Sequence, residues 1–492
     1  MTALITDFMG TSQNVTKCIG NSKAPQVKYP KTARWIPIMI IEIVNPIESR
    51  VNEQGAKHLA SILCYEAVYW KPGPFGMRRN TYQKSLVKKV KDGYGYFLTG
   101  FVPRIKKQYP SAVIHTMFEN PAADFTSPNL KGITFRPDQL QLISQAITAK
   151  RGLVQSPTGS GKTILQLGII SAMPRNFCCV LLAHTKDIVA QTYEELKKFG
   201  FGSKTQMIME GHRPPLTKPI VVATVQTFCK YPVDDYMTYF DMVIIDEGHH
   251  VSSFSGNYFQ VLNVLLAPYR YAFTATKSPN KEAEMALEGL IGPTVAKLTI
   301  NEAAGLKIIA RPKLRLIKLP ENHSVRQNCR NYEEVVKHGI VGSAARTQKI
   351  VNLVRNGVQR GKVVLVMVTQ IEHGQKIQEE LAKKGLKIPF VHGGTDGLER
   401  VRIKNALINK KLLAAICTSV WREGINIVSI NTIILAHLGK SELTTLQSIG
   451  RGLRRTSEKD KVVVVDFFDA SHPTLIKHFG ERLCLYMDNN WI

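Results

Sequence analysis

The sequence predicts an α/β protein, with two tandem doubly wound parallel-sheet domains behind a smaller N-terminal α+β region. Three observations carry this. From about residue 131 onward, short apolar runs alternate with helix-spaced segments, as parallel strands joined by crossover helices require. The alternation fades over residues 292–343 and then restarts, which divides it into two domains. A small-residue loop ending in Gly161-Lys162-Thr163 lies between a predicted strand and helix, at the strand end where doubly wound sheets place ligands.

In the first domain the apolar runs predict strands at residues 152–155, 177–183, 220–223, 242–245 and 271–274, with helices at 186–199 and 258–266. In the second they predict strands at 362–368, 389–392, 412–417, 432–436 and 462–465. Helices are expected at 344–357, 373–384, 397–408 and 443–452. Residues 1–130 mix strand and helix signals with scattered Pro and Gly, and a turn-rich stretch at 124–131 marks a boundary. The expected domains are therefore 1–130, 131–300 and 301–492.

Composition narrows the function. The 492 residues are 44% hydrophobic and 21% charged, which suits packed cores and excludes wholesale disorder. The longest apolar stretch, residues 36–44, is broken by Glu42 and falls short of the roughly 20 residues a membrane helix needs. No secretory signal pattern opens the chain, so a cytoplasmic protein without membrane partners is expected. Sixty-five Lys and Arg against 38 Asp and Glu leave a net charge of +27. Such a field attracts polyanions, of which nucleic acid is the commonest; a basic surface serving only solubility is the bland alternative. The eight cysteines contain no Cys-x-x-Cys pair, and several sit in apolar runs, as reduced buried thiols do.

The strongest motif is Ser156-Pro157-Thr158-Gly159-Ser160-Gly161-Lys162-Thr163. Its small residues let backbone N–H groups wrap a phosphate, and the following helix adds its positive end. Lys162 would reach the β- and γ-phosphates of ATP, while the Thr163 hydroxyl would ligate Mg²⁺. Ser156 stands where the general pattern has its first Gly. The second motif, Val243-Ile244-Ile245-Asp246-Glu247-Gly248-His249-His250, places two carboxylates at a strand end. Asp246 would hold Mg²⁺ largely through water, and Glu247 would orient or deprotonate the attacking water. A metal site on His249-His250 is rejected, since adjacent side chains should point apart and no ligand spacing supports it. A third group, Gln447-Ser448-Ile449-Gly450-Arg451-Gly452-Leu453-Arg454, puts Arg451 and Arg454 three apart on one helix face. Two guanidinium groups so placed suit the developing charge on a γ-phosphate, as arginine fingers do.

Taken in order, these segments resemble the superfamily 2 helicases of the DExH type, over about residues 131–470. Phe135-Arg136-Pro137-Asp138-Gln139 is similar to the family's adenine-reading segment, with Arg136 and Gln139 as nucleotide contacts. Ala183-His184-Thr185-Lys186 and Ala223-Thr224-Val225-Gln226-Thr227 resemble its first-domain nucleic-acid contacts, which implicates Thr185 and Thr227. Thr274-Ala275-Thr276 matches the coupling motif, with Thr274, Thr276 and His249 in that role. The run from Thr418 to Asn426 resembles the fifth motif, implying that Gly424 and Asn426 face nucleotide and Arg422 the strand; Asn426 stands where Asp is usual. Gln447, Gly450, Arg451 and Arg454 fit the sixth motif residue by residue, and His392 and Gly393 form a turn expected near the strand. His373-Gly374 and Leu435-Ala436-His437 bring the likeness nearest to the UvsW-like phage recombination helicases and the XPB-like branch.

The resemblance implies RecA-like domains, ATP and Mg²⁺ as cofactors, and ATP-driven movement on nucleic acid. The implied partner is DNA (forked, branched or single-stranded), and the implied setting a bacterial or phage-infected cell. An RNA helicase and an ATP-switched clamp that does not unwind are the rivals. In the N-terminal region ten basic residues between Lys71 and Lys107, among them Arg78, Arg79, Lys88 and Lys89, stand against Asp92 alone. Aromatics are interleaved with them. Most of those aromatics are expected in a small core, while the basic residues predict an accessory nucleic-acid grip.

Overall fold

The computed structural model describes residues 39–73, 76–89, 92–119, 124–278, 280–418, 421, 427–437 and 459–492. Apart from the loop Pro157–Ser160, the described residues divide into two compact units, one ending at Leu298 and the other beginning at Thr299. No described helix is long and apolar enough to cross a membrane.

The N-terminal region builds seven strands: β1 (Ile40–Ile43), β2 (Glu48–Asn52), β3 (Cys64–Gly73), β4 (Gly76–Ser85), β5 (Lys88–Lys89), β6 (Tyr94–Leu98) and β7 (Val113–Thr116). Five form a mixed sheet in the order β5-β6-β2-β1-β7, while β3 and β4 pair alone as a long antiparallel hairpin. The helix Glu53–Leu59 starts where the Asn52 side chain accepts from Gly55 N at 2.8 Å, an N-cap that breaks the chain out of β2. Ile41, Val51, Leu59, Phe97, Phe101 and Ile105 fill the core, and Met285 of the following α/β layer packs into it. Residues 39–119 therefore share one compact unit with the first parallel sheet.

That sheet contains β8 (Arg151–Gln155), β9 (Cys179–Ala183), β10 (Thr205–Ile208), β11 (Ile220–Thr224), β12 (Met242–Ile245), β13 (Tyr269–Thr274) and β14 (Thr294–Lys297). Its order is β10-β11-β9-β12-β13-β8-β14, and every pairing is parallel. The central strands are apolar but for Thr224 because helices cover both faces: Cys179–Ala183, Ile220–Thr224 and Met242–Ile245 are buried at every position. The five strands read from the sequence are all present. The edge strands β10 (Thr-Gln-Met-Ile) and β14 (Thr-Val-Ala-Lys) escaped that reading, since short polar edges give no continuous apolar run.

The second unit repeats the plan with β15 (Arg311–Lys318), β16 (Val363–Met367), β17 (Phe390–Val391), β18 (Ala414–Cys417), β19 (Ile430–Leu435) and β20 (Lys461–Phe468). The order is β15-β20-β19-β16-β18-β17, again all parallel. Helices Ala344–Gln359, Ile371–Lys383 and Gly397–Ile408 stand where the sequence predicts them; the one expected at 443–452 lies outside the described residues. β15 occupies the stretch where the pattern had faded. It is an edge strand whose Arg311, Lys313, Arg315 and Lys318 point to solvent, a sequence that reads as polar. The C-terminal helix Pro473–Asp488, also unread, is fastened to β20 by Arg482, whose Nε lies 2.8 Å from Asp466 Oδ2, and by Tyr486, which donates to the same oxygen at 2.8 Å.

The architecture is thus two parallel-sheet α/β layers of RecA-like type and a small N-terminal α+β region, as the sequence predicts.

Candidate nucleotide site

β8 ends at Gln155, and Ser156 N then donates to Thr274 O at 3.0 Å, tying the start of the loop to the end of β13. The loop turns tightly: Ser160 Oγ donates to Pro157 O at 2.7 Å, and Gly159 and Gly161 take positive φ values of 87° and 100°. Gly161 is constrained a second way, since a Cβ there would stand 3.0 Å from Gln139 Nε2. The helix Lys162–Ala172 follows, with its first N–H groups free to face an anion and Thr163 half-buried in its first turn.

Gln139 is buried, and its Oε1 accepts from Arg136 N at 3.1 Å, which leaves the amide nitrogen toward the loop. The Arg136 guanidinium is engaged by Asp138 at 2.9 and 3.0 Å.

β12 delivers the carboxylates. Lys162 Nζ lies 3.2 Å from Glu247 Oε1. Gln166, one turn along the helix, donates to Asp246 Oδ1 at 2.9 Å, and that oxygen also accepts from Glu247 N at 3.0 Å. Burial, then the neighbouring Glu247 charge, raise the Asp246 carboxyl to about 6, with Lys162 and Gln166 pulling the other way. Glu247 itself sits in the left-handed region at φ 50° and ψ 57°, a strained place for a side chain with a Cβ and one that recurs at functional sites.

The far side of Glu247 meets His249, whose Nδ1 is 3.4 Å from Glu247 Oε2 and 3.0 Å from Thr274 Oγ1. Thr274 has one hydroxyl proton, and it goes to Thr276 O at 2.7 Å. Nδ1 of His249 therefore carries a proton and donates, so the ring reads both the carboxylate and the coupling threonine. Lys162, Glu247, His249, Thr274 and Thr276 form one connected polar chain. The expectation that His249 and His250 point apart is corrected: their ring centroids are 4.4 Å apart at 37°. Adjacent residues in a tight 3₁₀ turn, Gly248–His250, turn their rings to the same side.

The donor set fits a hydrated Mg²⁺. Asp246 would offer a hard oxygen ligand, and beside it Gln166 Oε1 is a buried acceptor without a partner among the described residues, which a water of the ion's shell would satisfy. Gln166 was not read from the sequence. Its signal was a single polar residue within the apolar helix run Ile-Leu-Gln-Leu-Gly-Ile-Ile, and the structure buries it fully.

The remaining candidates are spread more widely. Thr185 caps the helix Lys186–Lys198 by accepting from Ile188 N at 3.3 Å. Thr227 is buried, its hydroxyl 2.9 Å from that of Thr224. In the second unit Arg400 clamps the turn at His392 and Gly393, donating to Gly393 O and Thr395 O at 2.8 Å each. Arg78 and Lys88 are exposed on β4 and β5. The side chains of Arg79 and Lys89, and Arg422, Gly424, Asn426, Gln447, Arg451 and Arg454 entirely, lie outside the described residues.

Residues 132–278 match the family described as type III restriction enzyme, res subunit, and residues 345–456 match the helicase conserved C-terminal domain. The chain belongs to the superfamily 2 helicases. Among proteins similar to this helicase is the ATP-dependent DNA helicase uvsW of Enterobacteria phage T4, 23% identical over 350 residues, or 68% of each chain. The DNA 3'-5' translocase XPB2 of Sulfurisphaera tokodaii is 24% identical over 368 residues, 67% of this chain and 80% of that one. In fold the helicase resembles the DUF1998 helicase MrfA bound to DNA, with a TM-score of 0.55, 17% identity and coverage of 73% of this chain and 49% of that one. A superfamily 2 helicase is an ATPase.

Proposed function

We propose that this helicase is an ATP-driven DNA translocase that unwinds or branch-migrates forked and branched duplexes, in recombination, repair or replication-fork remodelling. The observation that carries the reading is the polar chain Lys162–Glu247–His249–Thr274 at the ends of parallel strands. Without nucleotide, Lys162 and Glu247 neutralise each other. A triphosphate in the loop competes for Lys162 and frees Glu247 to take a water's proton. Bound Mg²⁺, held by Thr163 and Asp246 largely through water, would neutralise charge on the β- and γ-phosphates. Pro157, Thr158, Gly159, Ser160 and Gly161 cradle the phosphates, and Arg136 and Gln139 read the base. Arg451 and Arg454 supply positive charge to the transition state, and Gln447 a neutral hydrogen-bonding amide.

In this reading residues 131–300 and 301–492 are the motor domains, and 1–130 is a basic accessory grip. The net charge of +27 suits a nucleic-acid partner, and the likeness to the DNA helicase uvsW and the DNA translocase XPB2 favours DNA. The setting is the cytoplasm of a bacterial or phage-infected cell, as the likeness to phage helicases suggests. The test is steady-state ATPase activity with single-stranded, duplex and forked DNA and with RNA at equal nucleotide concentration. Forked DNA is expected to stimulate most. Stimulation by RNA equal to or above that by every DNA would overturn the DNA assignment.

A further inference from the structure

Three neighbouring strands end side by side at the nucleotide edge of the first sheet. Register pairs Thr224 of β11 with Ala183 of β9, and Leu182 of β9 with Ile245 of β12. The residues just past these ends are Gln226, His184 and the turn Gly248–His250, so the sheet itself brings them together. The His184 and His250 rings are stacked face to face, 4.2 Å between centroids at 9°. Gln226 Nε2 also holds His184, donating to its backbone oxygen at 3.0 Å and lying 3.1 Å from its Nδ1. An amide nitrogen only donates, so Nδ1 of His184 is the acceptor and the ring's proton sits on Nε2.

His184 is exposed, and an exposed side chain on a strand end ordinarily samples several rotamers. Here a ring stack and a two-point amide clamp hold it in one. That arrangement gives little burial in return, so packing does not account for it. What it does is connect. His250 adjoins His249, which touches Glu247 and Thr274; His184 adjoins Thr185 and Gln226 adjoins Thr227, the residues expected to face the polymer.

We infer that His250, His184 and Gln226 form a positioning relay through which nucleic acid bound at the Thr185 and Thr227 segments accelerates hydrolysis at Glu247. The inference rests on the translocase reading. None of the three touches the reacting atoms. A polymer that shifts the Thr185 turn moves the His184 ring, the stack moves His250, and the 3₁₀ turn passes the change to His249 and the carboxylate.

The experiment measures kcat and KM for ATP in the full chain, with and without an oligothymidylate strand, for His250→Ala, His250→Phe, His184→Ala and the double alanine variant. His250→Ala should keep the unstimulated kcat and the KM for ATP. Its stimulation by the strand should fall about fivefold or more, the lower bound of ordinary coupling between sites. His250→Phe preserves a ring for the stack and should recover much of that stimulation. The double variant should be no worse than the worse single one, since both break the same link. Full stimulation in His250→Ala overturns the relay, as does a parallel fall in unstimulated kcat, which would mark a merely structural residue. A wild-type enzyme that no polymer stimulates would overturn the translocase reading itself, a result distinct from failure of the relay.

Discussion

Arg270 is fully buried, and its partners are backbone carbonyls: Nε donates to Leu290 O at 2.8 Å, Nη1 to Leu265 O at 2.7 Å and Nη2 to Leu262 O at 2.7 Å. Arg151 does the same for Ile291 O, Leu290 O and Pro46 O at 2.8, 3.0 and 2.7 Å. Together they close the C-terminal end of the helix Lys281–Leu290, whose last carbonyls have no helical donors. Burial, and then the like charge of Arg151, hold Arg270 well below the ordinary arginine range. Arg270→Met would leave two carbonyls with no side-chain donor and Leu290 O with one instead of two. We expect a loss of about 3 kcal/mol in urea unfolding, from roughly 1–3 kcal/mol per stranded group; a loss under about 1 kcal/mol would mean water replaces the guanidinium. Burial acts on Asp246 in the same sense, against the charged form. Its folded pKa of about 6 exceeds the unfolded value, so it ionises reluctantly in the fold, and nucleotide-free stability should decline as pH rises from about 4 to 6. Asp246→Asn removes that penalty while keeping an acceptor for Gln166. It should raise stability at neutral pH by about 1–2 kcal/mol and abolish ATP turnover. A destabilised variant would show that the carboxylate is structurally required.

At the scale of elements, the most demanding contact joins the N-terminal region to the first parallel sheet. The 3₁₀ turn Thr99–Phe101 lies on the helix Lys281–Leu290 so closely that a Cβ on Gly100 would overlap the Glu288 and Gly289 carbonyl oxygens. A Cβ on Gly289 would stand 2.7 Å from Leu98 and 2.8 Å from Phe101. Arg104 locks the same contact through Glu288 Oε1 at 2.7 Å, and Tyr65 stacks on Phe254 nearby. Gly100→Ala should therefore loosen this seam, with a loss of about 1–3 kcal/mol as overpacking does. Hydrogen exchange should rise in Thr99–Gln108 and Lys281–Leu290 while β8 to β13 stay protected. Unchanged exchange in those segments would show that the seam accommodates a methyl group. The two glycines sit in no motif, and neither was legible beforehand. Their role depends on two chain segments about 190 residues apart meeting backbone to backbone, which no local pattern encodes.

For the whole molecule the governing quantity is the charge of +27. The N-terminal aromatics divide as expected only in part: Phe97 and Phe101 are core, whereas Tyr82 on the hairpin is 49% exposed. Lys71 and Arg78 face each other across the hairpin, with Lys71 Nζ 5.3 Å from the Tyr69 ring centroid. The shared core makes removal of residues 1–130 a poor test of the accessory grip, because it would uncover Met285 and Phe254. Charge reversal at exposed positions is cleaner. Arg78→Glu with Lys88→Glu should weaken DNA binding and reduce its salt dependence by about 0.9 log units of slope for each duplex phosphate no longer neutralised. An unchanged slope would remove this face from the DNA path. Lys162→Ala should do the converse, abolishing hydrolysis and leaving the salt slope intact; an active variant would sink the phosphate-loop assignment.

The sequence by itself determined the parallel α/β plan and the elements of the nucleotide edge. Buried strands must be apolar along their whole length, and a phosphate loop needs small residues followed by Lys and Thr; both are local requirements and leave local marks. Edge strands β10, β14 and β15 left no such mark, because each interrupts its apolar residues with polar ones, as a loop does. Nor did Gln166, His184, Gln226 or His250 announce their partners. Those partners are set by which strand ends lie side by side, and sheet order is decided by crossovers and packing over the whole unit. Tertiary structure alone placed His184 on His250, Lys162 on Glu247 and the N-terminal sheet on the helix Lys281–Leu290, since each contact joins segments that only the folded sheet brings within reach.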